Sequence, residues 1–189
     1  MIRILSVTEF KKLEGSLGKQ RRRDAAILSF LMYCGLRVGE VCKLRLRDLM
    51  GEGGVYVEVH VPGSITKTGI GRLVPMPPMG RFCLNEFIDK DFSVNTGPGA
   101  SNYLFPGTNG RPYMSVHGVE QLVSRISFKV LKKHVMPHML RHTYATMVLR
   151  YSNTREVQLL LGHKKLSSTE IYTHPTIRDL SRSVNKTFD

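Results

Sequence analysis

Long apolar runs are missing from this chain. The best of them, Ala25 to Leu36, covers twelve residues and is interrupted by Ser29 and Gly35. A membrane-spanning helix needs about twenty, so no span and no membrane role are expected. The opening MIRILSVTEF puts Glu9 where a secretory leader would continue its apolar stretch, and no leader is expected either. Cysteine is scarce. Cys34, Cys42 and Cys83 are odd in number and far apart, so they match neither a zinc pattern nor a disulfide framework. Reduced, buried thiols in a cytoplasmic protein are expected. Acid is scarce as well: 15 Asp and Glu stand against 28 Lys and Arg, a net charge of +13 over 189 residues. That excess asks for a polyanionic partner, nucleic acid before an acidic membrane surface. With 41% hydrophobic and 23% charged residues, the chain suits a globular domain with its own core rather than a basic disordered tail. The charge is uneven. Residues 1–110 hold 15 basic and 10 acidic side chains, residues 111–189 hold 13 and 5, so the closest anion contact is expected in the C-terminal part.

The pattern along the chain is mainly helical. Ser6-Val7-Thr8-Glu9 reads as a capping box that starts a helix near Val7. A second helix begins at Arg22 or Asp24, with Ala26, Ile27, Phe30, Leu31 and Cys34 on its apolar face, and a short third covers Val38 to Leu44. Val55, Val57, Val59 and Val61 alternate with polar residues, which predicts one half-buried strand. Ser64–Gly71 then reads as a hairpin connection and Arg72–Met76 as the returning strand, ended by prolines. Helical spacing resumes over Arg81–Lys90. Residues 93–112 form a long loop, with Tyr103-Leu104-Phe105 as a short strand. Further helices are predicted at Val116–Lys132, Pro137–Arg150, Arg155–Leu161, Thr169–Thr173 and Ile177–Lys186, with Gly162 as a C-terminal cap. The fold class is α+β: mainly helical, with a small antiparallel sheet in the first half. No internal repeat is present.

Several segments carry chemistry. GLRVGEVCKL (35–44) places Arg37 where an apolar helix ends and the chain turns. PHMLRHTYA (137–145) puts His138 and Arg141 three apart on one helical face. LGH (161–163) is followed nine residues after His163 by Tyr172. Together these resemble the tyrosine recombinases, the phage-integrase family of DNA strand-exchange enzymes. GLRVGEVCKL is similar to the family's first-arginine box, PHMLRHTYAT to its His-x-x-Arg box, and LGHKKLSSTEIYTH to the box with its last histidine and nucleophilic tyrosine. TKTGIGRLVPM is similar to its lysine-bearing hairpin. The resemblance runs from about Leu5 to His174, with all four boxes in order.

Carried over, the resemblance implies the family's catalytic-domain fold over residues 1–174 and a tail helix over 175–189, exchanged between protomers or packed on its own domain. It makes Arg37 and Arg141 the phosphate-gripping arginines, His138 and His163 the histidines beside them, Lys67 the hairpin lysine and Tyr172 the nucleophile. Glu40 falls at the family's acidic position, orienting Arg37. The implied partner is double-stranded DNA, bound with self-association into a synaptic tetramer. The implied place is the cytoplasm, on the nucleoid if the host is prokaryotic. The length matches the family's catalytic half, without the helical domain most relatives carry in front, so weak, salt-sensitive DNA binding is expected of this chain alone.

Phosphodiester attack requires these residue types on its own terms. Charge builds on the equatorial oxygens, and guanidinium groups meet it with paired, permanently ionised donors. A tyrosine hydroxyl, with a reference pKa of about 10, needs a proton acceptor to attack. A leaving 5′ oxygen needs a proton donor, which a lysine at a hairpin tip can be. Cationic side chains do a metal's work, so no metal or other cofactor is expected.

Plainer readings stand beside these. His138 and His142 are four apart, a metal-ligand spacing, but Met139 sits where a metalloprotease motif needs Glu, and His142 reads as a structural neighbour of Arg141. Arg21, Arg22 and Arg23 form either a solvated face or a DNA contact, as do Lys164 and Lys165. Arg72 is a further candidate DNA contact. Lys43, Arg45 and Arg47 either follow the DNA backbone or pair with Asp48 and Glu40. Two other functions fit the same residues: a type IB topoisomerase-like or telomere-resolving enzyme, and a DNA-binding regulator that keeps the fold without the activity.

Overall fold

Every residue from Ala25 to Tyr33 is buried, including Ser29, whose hydroxyl donates to the Ala26 carbonyl at 2.8 Å. These residues belong to α2 (Arg22–Tyr33), around which the rest of the fold is arranged. The computed structural model describes residues 3–51, 54–92, 102–162 and 177–188. A helix apolar on all sides must be covered on all sides. Here α3 (Val38–Lys43), α4 (Pro78–Phe87), α5 (Val116–Leu131) and α6 (Pro137–Val148) pack on it.

The Ser6–Glu9 start signal acts as expected. In α1 (Val7–Glu14), the Ser6 hydroxyl accepts from Glu9 N–H and the Glu9 carboxylate accepts from Ser6 N–H. Ser115 caps α5, and Asn153 caps α7 (Thr154–Leu161). Gly162 ends α7 at φ 64°, the left-handed geometry that glycine adopts at least cost.

The sheet departs from the expected single strand. β1 (Met50–Gly51) pairs with β2 (Gly54–Val55), while β3 (Glu58–Val61) pairs with β4 (Arg72–Pro75). Tyr56 and Val57 lie between the two pairings: Tyr56 N–H donates to Leu49 O, and Met76 N–H donates to Val57 O. The valine alternation therefore faces two environments. Val59 and Val61 are buried, whereas Val57 is exposed. In β3–β4 the register runs from Glu58 opposite Pro75 to Val61 opposite Arg72. The prolines after β4 also do more than end it. Pro78 opens α4 three residues earlier than the apolar spacing predicts, because a proline suits a first helical turn whose N–H has no partner. Tyr103 makes a single bridge to Arg45 rather than a strand. The Thr169–Thr173 helix lies outside the described residues.

The last helix, α8 (Ile177–Phe188), packs against β4 and α6. Leu180 and Val184 are buried, and the Ser183 hydroxyl donates to Glu156 at 2.8 Å. Phe188 stacks on Tyr144 at 6.0 Å and meets Tyr33 edge-on at 5.2 Å. Among the described residues, no helix is long and apolar enough to cross a membrane.

Candidate active site

The last carbonyls of a helix have no intrahelical donors and carry its negative dipole end. At the end of α7 they are met by three arginines from distant parts of the chain. Leu160 O accepts from Arg72 Nε at 2.8 Å. Leu161 O accepts from Arg141 Nη2 at 2.6 Å and from Arg37 Nη1 at 3.4 Å. Arg37 is the residue before α3, Arg72 opens β4, and Arg141 lies on the buried side of α6.

One carboxylate serves the group. Glu40, 1% exposed, accepts from Arg37 N–H at 2.8 Å, closing the first turn of α3, and from Arg37 Nη1 at 3.2 Å. Its two oxygens also take a fork from Arg72, at 3.1 and 2.8 Å. Burial works to raise the Glu40 carboxyl pKa. The Arg72 hydrogen bonds and charge, the Arg37 N–H and the Arg141 charge outweigh it and hold the group below the ordinary carboxylate range. Among the described residues, three guanidiniums around one carboxylate leave the cluster cationic. Burial first, and then the nearby Arg37 charge, push Arg141 down to about 10, still protonated at neutral pH. Arg37, with 26% of its side chain exposed, is the more open of its ion pair with Glu40. Arg37 is therefore where the cluster presents its positive charge most openly.

Arg141 is also anchored from below. Its Nη1 donates to Gly35 O at 2.6 Å. Gly35 has φ 56°, and a side chain there would run into the Tyr144 ring. Tyr144 is buried, which raises its hydroxyl pKa, and the hydroxyl has no hydrogen-bond partner among the described residues.

His138 is exposed on the first turn of α6. The His142 ring meets it edge-on, with centroids 5.2 Å apart. Burial, then the His138 and Arg141 charges, lower the His142 pKa, which favours its neutral form. No third His, Cys, Asp or Glu among the described residues joins the pair as a metal cluster. Lys67 is exposed in the loop between β3 and β4. The Thr66 hydroxyl lies within reach of the Gly63 and Ile70 carbonyls, at 3.0 and 3.2 Å.

One candidate DNA contact meets a different geometry, and the arginine run keeps a solvated face. Arg72, a candidate DNA contact, turns inward: only 7% of its side chain is exposed and its donors are engaged by Glu40 and Leu160. The arginine run sits at the start of α2, separated from Gly35 by a helix about 18 Å long. There Arg22 pairs with Asp91 at 2.9 Å and Arg23 with Asp24 at 3.1 Å, while Arg21 is exposed. Arg45 lies over the Tyr103 ring at 4.8 Å, and Asp48 spends an oxygen on the Arg45 N–H. His163, Lys164, Lys165 and Tyr172 lie outside the described residues. The contacts of Arg72 with Glu40 and with the α7 carbonyls are not among the sequence expectations. The sequence signal was the apolar stretch around Arg72, which places it in a half-buried strand.

The Phage integrase family model matches residues 4–178. The chain is 35% identical to tyrosine recombinase XerC of Xylella fastidiosa over 85% of its own length and 51% of that protein. It thus spans about half the length of that curated relative. The crystal structure of XerA recombinase superposes with a TM-score of 0.73 at 33% identity, covering 96% of this chain and 64% of that one. XerH site-specific recombinase, solved bound to its difH substrate, shares the fold with a TM-score of 0.69 at 24% identity, covering 95% and 52%.

Proposed function

As the chain belongs to the phage integrase family, we propose that it is the part of a site-specific recombinase that cuts and rejoins DNA. The observation that carries this reading is the cationic cluster. Arg37, Arg141 and Glu40 meet at the end of α7, one residue before the Gly162-His163 pair.

In this reading a scissile phosphate sits against Arg37 and Arg141. Their charge meets the negative charge that grows on its oxygens, and losing one such preorganised donor costs about 10²–10³ in rate. Tyr172 attacks the phosphorus while its proton passes to His138. The P–O bond to the 5′ side breaks, and Lys67 supplies the proton for the leaving oxygen. The product is a 3′-phosphotyrosine with a free 5′ hydroxyl, and His163 hydrogen-bonds a phosphate oxygen. The phosphotyrosine keeps a phosphodiester bond, so rejoining needs no nucleotide. Double-stranded DNA is the partner, Lys164 and Lys165 follow its backbone, and four protomers assemble two sites. Helix α8 is the element such an assembly would exchange. A cytoplasmic, nucleoid-bound protein is the matching setting.

The test is capture of the covalent intermediate. The chain is incubated with a pool of nicked duplexes of randomised sequence, and protein-linked DNA is recovered after denaturation. Wild type forms an adduct, in EDTA as in its absence, and Tyr172→Phe forms none. A wild type without an adduct, or an adduct from Tyr172→Phe, overturns the proposal.

A further inference from the structure

Arg72 stands at the meeting point of three segments. Its strand neighbour Val61 closes the hairpin that carries Lys67. Its fork holds both oxygens of Glu40, the carboxylate on which Arg37 rests. Its Nε holds Leu160 O, and its guanidinium lies so close to Gly162 that a side chain there would press on it. One rigid, planar group thus fixes the hairpin base, the Arg37 turn and the α7 end in one arrangement. A surface arginine with a dispensable ion pair would be solvated. This one has 7% of its side chain exposed and directed partners on three nitrogens.

We propose that Arg72 is a positioning residue for the reaction: it acts through Glu40 to hold the Arg37 guanidinium in place for the scissile phosphate, and never touches DNA itself. This rests on the recombinase reading above. The physical warrant is geometric. A fork fixes both distance and plane of a carboxylate, which a single ammonium cannot do. With Glu40 free to rotate, Arg37 keeps its charge but loses its pose, and a small misplacement in such a site costs about 10²-fold in rate.

The experiment compares wild type, Arg72→Gln, Arg72→Lys, Arg37→Ala and the double variant Arg72→Gln/Arg37→Ala. The substrate is a nicked duplex recovered from the adduct pool, and single-turnover adduct formation and DNA affinity are both read. Arg72→Gln is expected to slow adduct formation about 10²-fold while affinity changes by less than about threefold. Arg72→Lys, which keeps the buried charge and so protects the fold, is expected to restore part of the rate but not all of it. In the Arg37→Ala background, Arg72→Gln should add no more than about threefold, because both changes disable one device. A full multiplicative loss in that background, loss of affinity alone, or a wild-type rate in Arg72→Lys overturns the proposal. A second arm needs no DNA. The Arg37 Nε–Hε signal, followed by nitrogen-15 NMR, should shift and broaden in Arg72→Lys. An unchanged signal overturns the positioning role. If wild type forms no adduct, the recombinase reading fails, and this spectrum still decides whether Arg72 orders Arg37.

Discussion

Replacing Glu40 with alanine should be among the costliest single changes in this domain. The carboxylate is 1% exposed and accepts four hydrogen bonds, two from Arg37 and two from Arg72. Removing it leaves the Arg72 guanidinium buried without its counter-charge. Breaking one side of a buried pair costs about 3–5 kcal/mol. The Arg37 pair is partly open to water and adds little to that figure. For a domain of this size the loss corresponds to a fall in Tm of about 6–20 °C. The pH dependence has a definite sign. Because the native carboxyl is held below its ordinary value of 4.5, its contribution is fully present above that pH and is lost as pH falls through the native value. Urea unfolding of wild type and Glu40→Ala at pH 7 and across the acid range measures both quantities. The gap between the two proteins should be widest at neutral pH and narrow toward acid. A gap under about 1 kcal/mol at pH 7, which is what an exposed pair gives, or a gap that ignores pH, refutes the reasoning.

Other outcomes follow from the same geometry. Gly35→Ala should destabilise by about 2–5 kcal/mol, from left-handed strain and collision with Tyr144; denaturant unfolding checks it, together with a lowered adduct rate as the Arg141 anchor shifts. Phe188→Ala removes the ring packed on Phe10, Tyr33 and Tyr144 and should cost about 1–3 kcal/mol, read as a lower thermal midpoint. The three cysteines are free and buried, with burial pushing Cys42 and Cys83 up to about 11 and Cys34 higher still. Native protein at pH 8 should therefore resist iodoacetamide, and rapid labelling of any of the three would contradict their burial.

Much of the architecture is local and so could be read from the chain. Ser6 and Glu9 close a capping box within four residues, Gly162 ends a helix through its own backbone freedom, and α2 is helical where its spacing says, although it is buried all round rather than on one face. Where the reading missed, the decision was not local. Whether Val57 is buried depends on which neighbour each stretch of the valine run pairs with, and it switches from β1 to β4 partway. Pro78 serves a strand end and a helix start equally well until the sheet places it.

The sequence by itself determined the chemistry available: arginines, histidines, a hairpin lysine and a tyrosine in the order that names the family, because residue type and spacing are properties of the chain. Only the tertiary structure decided how the charges are shared. Arg37, Arg72 and Arg141 are alike in sequence, each a cation with five donors. Packing left Arg37 partly open, buried Arg141 between the Gly35 and Leu161 carbonyls, and spent Arg72 on Glu40. Which cation stays open and which is spent inside the cluster depends on burial and on the nearest carboxylate, and both are set by residues far away along the chain.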